Sequence, residues 1–191
     1  MSDLDRIAPG RLLVATPGLL DPNFRRTVVY LIAHGADGSV GVVLNRPSET
    51  AVHTVLPGWA EHISAPRTVF VGGPVQTNGA MCVAVRRAGV DPDLVSGIAP
   101  VTLGPVVLVD LDGEPDEIVP MLRGLRVYAG HAGWSEGQLA EEVAEGSWFV
   151  LDALPDDLIA GARTDLWFRV LRRQGQPLAF TAYHPGDLAL N

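Results

Sequence analysis

Gly130-His131-Ala132-Gly133-Trp134-Ser135-Glu136-Gly137-Gln138-Leu139, running on to Trp148, joins a predicted strand to a predicted helix. Just before it, Leu125-Arg126-Val127-Tyr128-Ala129 has the β-branched and aromatic content of a strand. Just after it, Leu139, Ala140 and Val143 share one side of a helical spiral, and Glu141, Glu142 and Glu145 share the water-facing side. Ser135-Glu136-Gly137-Gln138 between them predicts a capping box. In that motif the Ser135 hydroxyl accepts from the Gln138 N–H, and the Gln138 side chain reaches back to the Ser135 N–H. Trp134 precedes the cap and is placed to pack on Leu139 as a hydrophobic staple. Gly130 and Gly133 flank the predicted turn, and Gly146 ends the helix before a strand over 147–152. The reading is therefore strand, turn, capped helix, strand. A glycine-rich turn beside an aromatic ring at a helix start also offers a place for an anion or a ring. Gly130, Trp134 and Gln138 are accordingly candidate binding residues.

Working outward, strands are predicted over 11–16, 27–33, 40–44, 68–71, 80–85 and 105–111, and a last strand over 178–183. The Asp37-Gly38 pair predicts a hairpin between the second and third of these, and Gly41 predicts a bulge or a close backbone neighbour. Helices are predicted over 49–56 with Ser48 as N-cap, from about Asp116 with Pro120 as a disruption, over 155–162, and over 165–173 with Thr164 as N-cap. The segment 86–103 reads as turns. Adjacent pairs of strands, with helices between only some of them, predict an α+β fold with a mixed, largely antiparallel sheet. The length of 191 residues and an apolar content of 47% predict a single domain over 1–191.

Composition narrows the chemistry. The chain has no lysine; its 14 basic residues are all arginine. Schiff-base enzymes and lysine-bearing phosphate loops are thereby excluded. Residues 110–157 hold 12 acids and 2 arginines, a net of -10. Such a field opposes a phosphate backbone, so direct nucleic-acid binding is not expected. Arg169, Arg172 and Arg173 are the one basic cluster that favours it, and they also suit a helix C-terminus. The acidic N-terminus and the lack of a long apolar run predict a cytoplasmic protein with no membrane segment. The lone Cys82 sits in an apolar run and reads as a buried thiol.

His34, His53, His62, His131 and His184 show no pairing at helical ligand spacing, and the motif G-x-S-x-G does not occur. Asp110, Asp112, Glu114, Asp116 and Glu117 do not follow an EF-hand pattern. No catalytic residue, metal ligand or cofactor is expected. Asn45-Arg46 at a strand end is the better polar candidate, because a guanidinium grips a carboxylate or phosphate at two points. Alternatively, Asn45 closes a turn and Arg46 pairs with a surface acid. Gly72-Gly73-Pro74 lacks a nucleotide-loop pattern, but Gly72 and Gly73 end a strand and join the candidate set.

Five pieces of the chain resemble the bacterial YqgE/AlgH family. They are Gly10 to Pro17; Asp21-Pro22-Asn23-Phe24; Gly41-Val42-Val43-Leu44-Asn45-Arg46-Pro47; Gly72-Gly73-Pro74-Val75; and Gly130 to Leu139 with Trp148. The resemblance implies a cytosolic protein with coiled, partly bifurcated sheets, and some members of the family carry a transcriptional-regulator label. It implies no catalytic residues. The expected function is that of a non-catalytic binding or regulatory protein acting through contacts with another protein. The alternative is an enzyme or small-ligand binder that takes an anion near Asn45-Arg46, Gly72-Gly73 and Gly130-Trp134.

Overall fold

The computed structural model describes residues 2–95, 104–161 and 164–185. Nine strands form one open, mixed sheet: β1 (Arg11–Ala15), β2 (Val28–Gly35), β3 (Gly38–Val43), β4 (Pro47–Ala51), β5 (Thr68–Val71), β6 (Val75–Arg86), β7 (Val106–Val109), β8 (Leu122–Trp134) and β9 (Trp148–Asp152). Six short helices flank it: α1 (Val52–Val55), α2 (Pro115–Ile118), α3 (Gln138–Ala144), α4 (Pro155–Leu158), α5 (Leu166–Arg172) and α6 (Leu178–Thr181). The α+β expectation holds, and so does bifurcation.

Branching occurs on β8. Near its end, Ala132, Gly133 and Trp134 pair with Gly41, Val40 and Ser39 of β3, which continues through β2 and β1 to β9. Its earlier residues pair antiparallel with β6, from Leu122 opposite Arg86 to Ala129 opposite Ala80. On the other side, Tyr128 and Ala129 pair in parallel with Phe70 and Val71 of β5. A strand of 13 residues is long enough to serve two half-sheets, and the change of partner comes at Gly130, whose φ is 69°.

The period-2 alternation of each strand distributes side chains between separate cores. Leu12, Val14, Val28 and Tyr30 join Phe70, Val83, Val85 and Tyr128 in a central core fed by both half-sheets. Leu13, Ala15, Val29 and Leu31 point the opposite way, into a cluster closed by Trp134, Leu139, Val143 and Trp148. Cys82, Ala84, Leu125 and Val127 build a third cluster with Val52, Trp59 and Ile63. Cys82 is buried, as its setting predicts.

The central core is closed by α5, where Trp167 donates its indole N–H to the Ala15 carbonyl at 2.8 Å. The fully buried Asp157 of α4 holds that helix. It accepts from Arg169 at 3.0 Å, from Arg173 at 2.7 and 2.8 Å, and from its own helix start at Leu154 at 2.8 Å. Arg126 is buried with no carboxylate partner among the described residues. Its guanidinium donates to the carbonyls of Leu158, Ala65 and Ala160 and packs over the Phe70 ring at 4.2 Å. Burial lowers its pKa, and the neighbouring Tyr128 opposes that shift.

Several local expectations are corrected. The predicted turn at Gly130–Gly133 is strand, because ladder bonds to β3 and β6 extend the segment to Trp134. The real turn follows at 135–137, and the helix starts at Gln138 with Gly137 in the left-handed region, φ 76°. Half of the capping box forms: Gln138 Oε1 accepts from the Ser135 N–H at 3.0 Å, whereas the Gln138 N–H goes to the Ser135 carbonyl. The helix expected over 49–56 shrinks to α1, because Pro47–Ala51 pairs with β5 and Ser48 donates its hydroxyl to the Val69 carbonyl at 2.6 Å. The strand expected over 178–183 is the helical turn α6. Asp165 rather than Thr164 caps α5, accepting from the Phe168 N–H at 3.0 Å. After α2 the chain tightens to a 3-10 turn over Val119–Met121, where Pro120 denies it an α-helical donor. Of the turns expected over 86–103, residues 96–103 lie outside the described residues, as does Ala162 at the end of the predicted 155–162 helix.

Candidate functional site: a cationic cleft with an apolar extension

Asn45 and Arg46 form the link from β3 to β4. Asn45 is a stitch in the backbone: its Oδ1 accepts from the Val28 N–H and its Nδ2 donates to the Arg26 carbonyl, each at 2.9 Å. Both ends of the side-chain amide are thus used inside the protein, as the turn-closing alternative requires. Arg46 is half-buried and donates to the Arg25 carbonyl, its one side-chain hydrogen bond among the described residues. The expected acidic partner is missing: among the described residues no carboxylate forms an ion pair with Arg46 or Arg25. Desolvation, and then the charge of Arg25, lower the Arg46 pKa. A guanidinium so placed gains from any anion that supplies the missing charge.

The Gly72-Gly73 step brings the end of β5 against this link. The Gly72 carbonyl accepts from the Val43 N–H and its N–H donates to the Ala129 carbonyl, both at 2.8 Å. A methyl group at Gly73 would collide with the His131 carbonyl, and one at Gly130 would lie 2.5 Å from the Gly73 carbonyl oxygen. Glycine is needed here because two backbones run in near contact.

Together these segments wall an open cleft of about 490 Å³, lined by Pro22, Asn23, Arg46, Pro47, Gly73 and Thr77, with Val43, Val71 and Pro74. The two non-glycine residues with left-handed backbone among those described are Arg26 (φ 53°) and Gln76 (φ 48°). Arg26 adjoins Arg25, and Gln76 adjoins Thr77. Conformations of this kind cost about 1–3 kcal/mol each and concentrate at functional sites.

A second cleft, about 510 Å³, shares Val71 and Thr77 with the first. Its floor is apolar: Val55, Leu56, Val69, Ala80, Val127 and Ala129. Ser48, Thr50, Thr77 and Asn78 are its polar members, and among the described residues none that lines it is charged.

Arg46 and Gly73 of the candidate set therefore line one cleft, with Asn45, Gly72 and Gly130 bracing its walls. Trp134 and Gln138 do not join them. Trp134 lines a different hollow at the β2–β3 hairpin, with His34, Asp37, Ser39 and Gly133. There His34 Nδ1 and Ser39 Oγ share a 2.7 Å hydrogen bond across the hairpin, and among the described residues no carboxylate engages His34. Gln138 donates its side-chain N–H to Glu142 at 2.9 Å, within α3. The sequence reading missed Pro22, Asn23, Pro74 and Thr77. Pro22 and Asn23 lie in a turn that the Asp21-Pro22-Asn23 run signals, and a turn signal alone does not mark a site. Among the described residues no three His, Cys, Asp or Glu side chains cluster as metal ligands, and no helix is long and apolar enough to cross a membrane.

Fold and cleft define a class: an open, bifurcated mixed-sheet α+β protein with an arginine-bearing groove at the strand junction. The model of the AlgH-like family matches residues 12–179, and the chain belongs to that family. A UPF0301 protein of Mycolicibacterium smegmatis is 50% identical over 186 residues, covering 97% of this chain and 92% of its own. The UPF0301 protein ML0028 of Mycobacterium leprae is 51% identical over the same shares. Protein DIP2367 of Corynebacterium diphtheriae, solved by X-ray crystallography, is 38% identical with a TM-score of 0.88, and 92% of each chain is covered. The solution structure of AlgH from Pseudomonas aeruginosa is similar at a TM-score of 0.64 and 27% identity, over 94% of this chain and 95% of that one.

Proposed function

We propose that the protein is a non-catalytic binding protein that holds a small anionic ligand in the cleft at Arg46. One observation carries this reading: a half-buried guanidinium faces a cleft beside a second arginine, with no carboxylate partner among the described residues. The backbone bracing by Asn45, Gly72, Gly73 and Gly130 supports it, since a site built on near-contacting backbone is held rigid before the ligand arrives. A thermal-shift screen of phosphate and carboxylate metabolites tests it. An anion at a hundredfold excess over its Kd adds about 2.7 kcal/mol and raises Tm by roughly 5–10 °C. Arg46→Gln abolishes that rise. Failure of every anion to shift the wild type, or an equal shift in Arg46→Gln, rejects the reading.

Action through protein contacts is the second reading, and one feature favours it. Of β6, only Cys82–Val85 pairs with β7, so the exposed Val75–Ala80 segment has an open outer edge among the described residues. An open edge accepts an added strand. Pull-down from a native lysate with wild type and with a proline placed at Asn78 distinguishes a partner that uses this edge from one that does not. Direct DNA contact has less support: Arg169 and Arg173, two of the three arginines that favoured it, are ion-paired with Asp157.

A further inference from the structure

We propose that the ligand is an amphipathic anion, a short aliphatic carboxylate whose head meets Arg46 and whose chain crosses Val71 into the adjoining apolar cleft. The inference rests on the anion reading above and adds the chemistry of the rest of the molecule. Three observations carry it. The two clefts adjoin, with Val71 and Thr77 in the lining of both. Among the described residues Arg46 is the one charged residue lining either of them, so charge complementarity is confined to one end. The other end presents apolar side chains to solvent: Val55 is 52% exposed and Val71 42% exposed, and both lie in the lining.

A highly charged ligand such as a nucleotide would leave its further charges against Val55, Val69 and Ala129, where no lining residue compensates them. A neutral apolar ligand would leave Arg46 without its counter-charge. A molecule with one carboxylate and a hydrocarbon chain satisfies both ends. Each cleft lies within the roughly 300–1,000 Å³ usual for small-molecule sites, so the pair has room for a chain of several methylenes.

The test is a ¹⁵N-HSQC titration of the full chain with acetate, butyrate, hexanoate and octanoate, with inorganic phosphate, octanol and an acetylated tripeptide bearing a free C-terminal carboxylate as comparisons. Affinity is expected to rise roughly two- to fourfold per methylene along the series. Shifts should spread from the amides of Arg46 and Gly73 to those of Ala80 and Ala129 as the chain lengthens. Val55 is exposed, so Val55→Ser leaves the core intact and weakens octanoate several-fold, while Arg46→Gln removes the preference for octanoate over octanol. Equal affinity for acetate and octanoate overturns the chain assignment and leaves the anion reading standing. Equal affinity for octanol and octanoate overturns the head assignment. A tripeptide binding more than tenfold tighter than octanoate overturns the proposal in favour of a protein C-terminus. No response to any carboxylate or to inorganic phosphate rejects both this inference and the anion reading beneath it.

Discussion

Trp134 and Glu142 are joined by a 2.9 Å hydrogen bond from the indole Nε1–H to the carboxylate Oε2, and the same oxygen accepts from Trp148 at 2.8 Å. The two indoles meet edge-to-face at 5.9 Å, and Phe24 packs on both. One carboxylate on α3 thus ties the end of β8 to the start of β9. The helical pattern placed Glu142 with the water-facing acids; it is half-buried between two tryptophans.

Glu142→Ala leaves two largely buried indole N–H groups without an acceptor. The expected loss is about 2–4 kcal/mol, or roughly 5–12 °C in Tm. Glu142→Gln keeps an acceptor oxygen and loses less than half as much. Urea unfolding followed by tryptophan fluorescence measures both; equal losses for the two variants would contradict the bridging role.

Asp157 is fully buried and accepts from two arginines and a backbone N–H. Asp157→Ala strands Arg173, only 23% of whose side chain is exposed, and uncaps α4. A loss of about 3–5 kcal/mol is expected, with an unchanged m-value in urea. A loss below about 1 kcal/mol, the range of exposed pairs, would show that solvent screens this cluster.

Gly73 and Gly137 separate two reasons for glycine. Gly137 has φ 76° with nothing near its missing Cβ, so Gly137→Ala costs only the backbone strain, about 1–2 kcal/mol. Gly73→Ala drives a methyl into the His131 carbonyl and must separate β5 from β8; about 3–5 kcal/mol is expected, with loss of ligand response at Arg46. Thermal melts rank the two variants, and the reverse order would mean the strand junction yields easily.

Burial pushes the Cys82 thiol up to about 12. An unfolded thiol ionises at roughly 8.5, so between these values the unfolded state holds fewer protons and stability falls as pH rises. The expected slope reaches about 1.4 kcal/mol per pH unit. Burial raises the Tyr30 and Tyr128 hydroxyls too, so the decline steepens above roughly pH 10. Urea midpoints measured across the alkaline range for wild type and Cys82→Ala check the sign: the variant lacks the first phase of the decline.

Most strands and the class of fold were legible in the residue pattern alone. Runs such as Leu12-Leu13-Val14-Ala15 and Val28-Val29-Tyr30-Leu31 are apolar at every position, and only strands covered on both faces use such runs; each feeds two clusters. The residue pattern also singled out Arg46 and Gly73, through a fixed cation and a glycine pair at strand ends, and both line one cleft. Only the tertiary structure decided how those pieces meet. Local propensity at Gly130–Gly133 and at 49–51 favoured turn and helix, but pairing with β3, β6 and β5 satisfies more backbone groups there, and the ladder prevailed. Glu142 turned inward because two indole N–H groups, from strands flanking its helix, needed one acceptor. The cleft joins residues from three separate segments of the chain, and its apolar extension depends on Val55 and Val127 coming to one groove. Residue spacing carries the period of a strand or helix, but not the long-range pairing that sets which surfaces face each other.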